Sequence, residues 1–116
     1  MTNQTMDFDF QLNGSSGYTF VASSDSIADG DMIEVTVGKE TVVVARLYGS
    51  VYAVDGICTH AYAELIDGEL EDHCLYCPLH FASFDIRDGS VTEGPADKPL
   101  PVYDVLEQDG FIWIKG

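Results

Sequence analysis

Cysteine and histidine alternate twice in this chain, as Cys58-x-His60 and, after a gap of 16 residues, as Cys77-x-x-His80. The two stretches are CTHAYAEL at 58–65 and CPLHFASF at 77–84, and each follows an apolar, strand-like run. Two thiolates and two imidazoles delivered by two loops suit a pair of irons. Soft sulfur and borderline nitrogen donors divide between the two metals of a 2Fe-2S cluster when histidines replace the cysteines on one iron. A single zinc is the competing reading, but zinc sites commonly bring paired ligands of one kind, and here the two kinds alternate. Three cysteines are an odd count in a chain whose N-terminus shows no export signal, so metal ligation is favoured over a disulfide scaffold.

The elements that must position these loops read as β-structure. From Tyr18 onward the chain runs YTFVAS, MIEVTV, TVVVARL, VYAV, DHCLY, FASFDI, VYDVL and FIWIK, short β-branched and aromatic runs spaced as in an all-β sandwich or barrel. Asp55-Gly56, Asp67-Gly68, Asp88-Gly89, Asp109-Gly110 and Tyr48-Gly49 mark short turns, which predicts a sheet meander. Helix is expected only as single turns around SDSI and over AYAEL. NGSSG at 13–17 reads as a joint, dividing a peripheral or flexible tail, 1–17, from the domain, 18–116. Within the tail, DFDFQL alternates, so Phe8, Phe10 and Leu12 offer an edge strand as an alternative to disorder.

At 116 residues there is room for one domain with a real core and none for a second, catalytic one. The net charge of -15 repels phosphate backbones and anionic lipid, so neither nucleic acid nor membrane is an expected partner. The same charge fits steering toward a basic docking surface, with plain solubility as the alternative. No apolar stretch is long enough to span a bilayer, and the N-terminus shows neither a basic start nor an apolar core, so a cytoplasmic location is the expectation.

Among the residues outside the two boxes, Cys74 is expected to be a small buried hydrophobe and His73 to face solvent. Ser83 is within reach of the second loop as a hydrogen-bond donor or as an ordinary turn contact, and Trp113 is expected to pack in a terminal core strand.

The paired boxes resemble those of the Rieske iron-sulfur proteins, which read C-x-H and C-x-x-H at about this separation. Leu65 and Pro78 fit the family's apolar and proline positions, and GPADKPLPVYDV at 94–105 is similar to its proline loop and following strand. The resemblance covers 18–116. It implies antiparallel sheets with a cluster-binding subdomain of two loops at one tip, Cys58 and Cys77 holding one iron and His60 and His80 the other. High-potential members carry an extra cysteine in each box, and a serine and a tyrosine after the second histidine. Ala63, Leu79, Ala82 and Phe84 stand at those places, so the resemblance is to the low-potential ferredoxins of bacterial ring-hydroxylating dioxygenase systems. Family members usually have glycine after each histidine. This chain has Ala61 and Phe81, which bears on the local loop shape and makes Phe81 either a packing residue or part of a docking face.

What the resemblance implies is a monomeric electron carrier and not an enzyme, with one 2Fe-2S cluster per chain. Its partners would be a flavin-containing, NAD(P)H-dependent ferredoxin reductase and a terminal Rieske non-haem iron oxygenase of aromatic compound degradation. An oxygenase would itself need a second iron on two further histidines and a carboxylate, and only His73 remains of three. The alternatives are the small Rieske-like subunit of an assimilatory nitrite reductase and a structural Cys2His2 zinc module.

Overall fold

The chain is all-β in the computed structural model, which describes residues 17–59, 62–79, 82–94 and 98–115. Six strands form one sheet: β1 (Tyr18–Ser23), β2 (Met32–Val37), β3 (Glu40–Leu47), β4 (Ser50–Asp55), β9 (Val102–Gln108) and β10 (Phe111–Lys115), in the spatial order β1-β10-β9-β4-β3-β2. Four short strands form the other in sequential order: β5 (Glu69–Glu71), β6 (Cys74–Tyr76), β7 (Ser83–Asp85) and β8 (Val91–Glu93). The expected meander is therefore interrupted. β4 pairs antiparallel with β9, Ala53 opposite Tyr103 and Val54 opposite Val102, so the small sheet is an insertion held between two adjacent strands of the large one.

β3 shows why an unbroken apolar run belongs in such a fold. Val42 and Val44 pack with Ile112, Ile114, Ala53 and Ile27 inside the curved large sheet. Val43, Ala45 and Leu47 point the other way, against Leu65, Leu75, Phe84 and Leu100 of the insertion. A strand covered on both faces loses its polar alternation. Each fully buried valine contributes about 1.5–3 kcal/mol relative to exposure, so β3 is the shared wall of both cores.

Tyr48-Gly49 and Asp109-Gly110 each close a two-residue hairpin with positive φ at both positions, the type I′ pattern. Two other Asp-Gly pairs are not hairpin turns. Gly56 ends β4, with its N–H donated to the Thr41 carbonyl, and Gly68 leads into β5 where a Cβ would stand 1.8 Å from the Tyr76 carbonyl oxygen. Close backbone approach explains those glycines. The turn at SDSI is a 3-10 turn, Ser24–Ser26, whereas the second one is Leu65–Asp67, so that of the described residues of AYAEL only Leu65, its last, is helical. There Ile57 bridges Glu64 and the Cys58 N–H donates to Ala63, which holds the stretch extended. β5 and β8 escaped the sequence reading because ELE and VTE carry one apolar residue each.

Arg46 ties one end of the large sheet. It donates to the carbonyls of Ser24, Ile27 and Gly49 and pairs through two nitrogens with Glu107. At the junction of the sheets the Tyr48 hydroxyl donates to Asp72 at 2.7 Å, and the Tyr48 and Tyr52 rings flank His73. No helix among the described residues is long and apolar enough to cross a membrane. The tail expectations for Phe8, Phe10 and Leu12 lie outside the described residues.

Candidate metal centre

Two matched loops carry the cysteines. In the first, the Cys58 N–H donates to the Ala63 carbonyl at 3.0 Å, and in the second the Cys77 N–H donates to Ala82 at 2.9 Å. In each loop the closing carbonyl lies five positions after the cysteine; the first loop precedes β5 and the second joins β6 to β7. The second follows from β6 and β7, whose register sets Tyr76 opposite Ser83. The first is fixed where Gly56 accepts the Leu65 N–H, beside the Ile57–Glu64 bridge.

Both cysteines are buried in one cluster with Leu65, Leu75, Phe84 and Leu100. Neither is in a disulfide, and Cys58 neighbours Cys77 in this cluster. Burial pushes the Cys77 thiol above its ordinary range, and the neighbouring Cys58 adds to this, opposed by the Leu79 N–H that donates to its sulfur. In an apolar enclosure the buried Cys77 thiol favours thiolate only where a cation compensates it. The donor set fits an iron-sulfur cluster on that ground: two cysteines share one apolar core, and a bound metal would supply the compensating charge. His60 and His80, with Ala61 and Phe81, lie outside the described residues.

A third segment closes the site. Leu100 is buried against the cysteine core, its N–H donates to Gly89, and the Thr59 hydroxyl donates to the Lys98 carbonyl at 2.7 Å. The proline loop was legible in the sequence; its anchor Thr59 was not, because a threonine inside a ligand box carries no signal for a partner 39 residues away. Gly89 has φ +79, and a Cβ there would stand 2.1 Å from the Leu100 oxygen, so the loop is held by a position closed to other residues.

The remaining candidates resolve as follows. Ser83 is buried and its hydroxyl is 2.6 Å from that of Thr92 on β8, a structural contact. Cys74 is only half-buried, since the alternation of β6 buries Leu75 instead. His73 does not face solvent freely: it is half-buried between the two tyrosines, beside Asp72. Trp113 is buried, as expected, against Phe20. Ala82 and Phe84 are also buried, and neither has a hydroxyl to offer the site. Tyr62 and Leu79, 85% and 46% exposed, stand on the two loops as apolar surface.

Residues 17–104 match the family model described as Rieske [2Fe-2S] domain. The chain is similar to the ferredoxin component of the naphthalene 1,2-dioxygenase/salicylate 5-hydroxylase systems of Ralstonia sp., 33% identical over 94 residues, 81% of this chain and 90% of that protein. Among solved structures it resembles the ferredoxin of carbazole 1,9a-dioxygenase from Nocardioides aromaticivorans IC177, with 33% identity, a TM-score of 0.80, and 84% and 95% of the two chains covered. It also resembles a chain in the complex of reduced oxygenase and oxidized ferredoxin in carbazole 1,9a-dioxygenase, at 28% identity and TM-score 0.82, covering 86% of this chain and 94% of that one.

Proposed function

We propose, on the premise that this chain belongs to the Rieske 2Fe-2S domain family, that it is the ferredoxin of an aromatic-ring dioxygenase system, carrying single electrons to a terminal oxygenase. The observation that carries the reading is the pair Cys58 and Cys77, buried together in one core cluster and each held by the same backbone closure, to Ala63 and Ala82. When bound, the 2Fe-2S cluster takes up and releases one electron. Cys58 and Cys77 hold one iron and His60 and His80 the other. The cluster domain is 18–116, the first 17 residues being peripheral to electron transfer.

Ligand type sets the driving force. Two ferric irons, two sulfides and two thiolates sum to zero charge, whereas four thiolates leave two negative charges, so the mixed set is the easier to reduce. Rieske centres fall at about -150 to +300 mV against about -400 mV for plant-type ferredoxins. With Ala82 and Phe84 in place of hydroxyl donors, this centre belongs near the bottom of that range.

Tyr62 and Leu79 offer the oxygenase a small apolar contact beside the ligand loops, and the chain's acidity steers a basic surface toward it. The upstream partner is a flavin-containing, NAD(P)H-dependent reductase, and the relay works in the cytoplasm as a monomer. Transient redox interfaces of this kind bury under about 1,200 Å². The test is a reconstituted relay. Cluster-loaded chain is expected to be reduced by NAD(P)H only when such a reductase is present, and to be reoxidised by an aromatic-ring oxygenase. A fully loaded chain that exchanges electrons with neither would contradict the proposal.

A further inference from the structure

The segment Lys98-Pro99-Leu100-Pro101 is stiff by composition. Each proline fixes its own φ, removes an N–H and holds the residue before it extended, so Lys98 and Leu100 have little freedom to lose on folding. These four residues are nonetheless tied to three separate parts of the chain. The Lys98 carbonyl accepts the Thr59 hydroxyl at 2.7 Å, the Leu100 N–H donates to the Gly89 carbonyl at 2.8 Å, and the Pro101 carbonyl accepts the Asp55 N–H at 2.9 Å.

Two of the ties lead to the two ligand loops. Thr59 follows Cys58 inside the first loop, where the Cys58–Ala63 and Leu65–Gly56 backbone bonds close the loop on itself. Its hydroxyl reaches outward instead, to a carbonyl 39 residues on. Gly89 lies in the turn from β7 to β8, and β7 begins at Ser83, directly after the Ala82 carbonyl that closes the second loop. That turn is itself fixed: the Gly89 N–H donates to the Asp85 carbonyl at 2.7 Å, and the Asp88 carboxylate accepts both the N–H and the hydroxyl of Ser90. Between the two anchors Leu100 is 2% exposed and shares one core with Cys58, Cys77, Ala63 and Ala82.

A stiff segment fastened at Lys98 to one loop and at Leu100 to the hairpin of the other spans only two residues, about 7 Å when extended. We infer, on the cluster reading given above, that residues 98–101 form a strap that holds the two ligand loops at a set separation, and that Thr59 is the positioning residue that fastens it. Thr59 does not ligate. Its bond sets how long the site stays closed: with that end released, the first loop parts from the second without breaking any bond of its own, and the site they share opens to water.

The experiment follows the visible absorption of cluster-loaded full-length chains in excess EDTA. Thr59→Val removes the hydroxyl at constant shape and is expected to speed cluster loss about 3- to 10-fold, the effect of one hydrogen bond, and Thr59→Ser is expected to restore the original rate. Gly89→Ala displaces Leu100 at the other anchor and is expected to speed the loss as well. Because both act through one strap, the Thr59→Val/Gly89→Ala chain is expected to lose its cluster no faster than the faster single variant. Gly110→Ala, in a hairpin of the large sheet, controls for general destabilisation. A Thr59→Val chain that folds but takes up no iron and sulfide, while Thr59→Ser loads normally, supports the strap equally. Loss from Thr59→Val at the original rate, a double variant whose acceleration is the product of the two single ones, or a Gly110→Ala chain as fast as Thr59→Val would overturn the inference. A parent chain that takes up no iron and sulfide would instead overturn the cluster reading on which it rests.

Discussion

At the scale of single residues, two groups that the site lacks say as much as the two cysteines it has. Ala82 closes the second loop through its carbonyl, and Phe84 is fully buried in the same core, so the hydroxyls that raise the potential of related centres have no counterpart there. Ala82→Ser adds one donor without moving the backbone. One hydrogen bond to a charged acceptor contributes about 1.5–3 kcal/mol, which for a single electron is on the order of 60–130 mV. The variant's midpoint in protein-film voltammetry is expected to rise by that order, and an unchanged midpoint would show that the serine does not reach the cluster or its thiolates. These positions were legible in the sequence because ligand boxes have fixed spacing. Thr59 and Leu79 were not: one acts through a hydroxyl on a distant carbonyl and the other through its backbone N–H, and side-chain identity encodes neither.

At the scale of elements, the strands of the large sheet could be read because their apolar content is high, and the strands of the small one could not. β5 and β8 are three residues long with one apolar residue each, ordered by their neighbours rather than by their own pattern. Glycine carries the same lesson. The four Asp-Gly pairs look alike in sequence, yet Gly110 has open space around its missing Cβ, whereas Gly68 sits against the Tyr76 carbonyl with an ordinary negative φ. Gly110→Ala is expected to cost about 1 kcal/mol through its backbone conformation alone. Gly68→Ala must displace β6 and is expected to cost more, about 1–3 kcal/mol or above. Thermal loss of the cluster's visible absorption ranks the two, and the reverse ranking would contradict the close-approach account. The Arg46–Glu107 pair adds a pH dependence at the other end of the sheet. Its hydrogen bonds to Arg46 hold the Glu107 carboxyl below the ordinary range. A depressed folded value means the pair stabilises fully above about pH 4.3 and loses that contribution as pH falls through the lower folded value. Glu107→Gln should therefore lower the melting temperature at pH 7 and flatten its decline in acid; a parallel decline would remove the pair from the acid response.

At the scale of the whole molecule, a charge of -15 on 116 residues is the property the docking proposal uses. Electron delivery to the oxygenase should slow as ionic strength rises from about 0.01 to about 0.15 M, where the screening length contracts from about 30 to about 8 Å. A flat rate across that range would return the acidity to solubility. The fold itself is a curved sheet with a smaller sheet inserted between two of its strands, and that arrangement sets both cysteine loops on one insertion, away from the strand ends fixed by Arg46. The proposed function rests on two sulfurs and two imidazole nitrogens sharing one pair of irons. Pulsed paramagnetic resonance of the chemically reduced protein tests this most directly, because it detects nitrogen nuclei bonded to the paramagnetic iron. The account predicts a 2Fe-2S signal coupled to two histidine nitrogens, one of which disappears or takes the whole cluster with it in His60→Ala. A signal with no nitrogen coupling, or a colourless protein holding zinc and no sulfide, would contradict it.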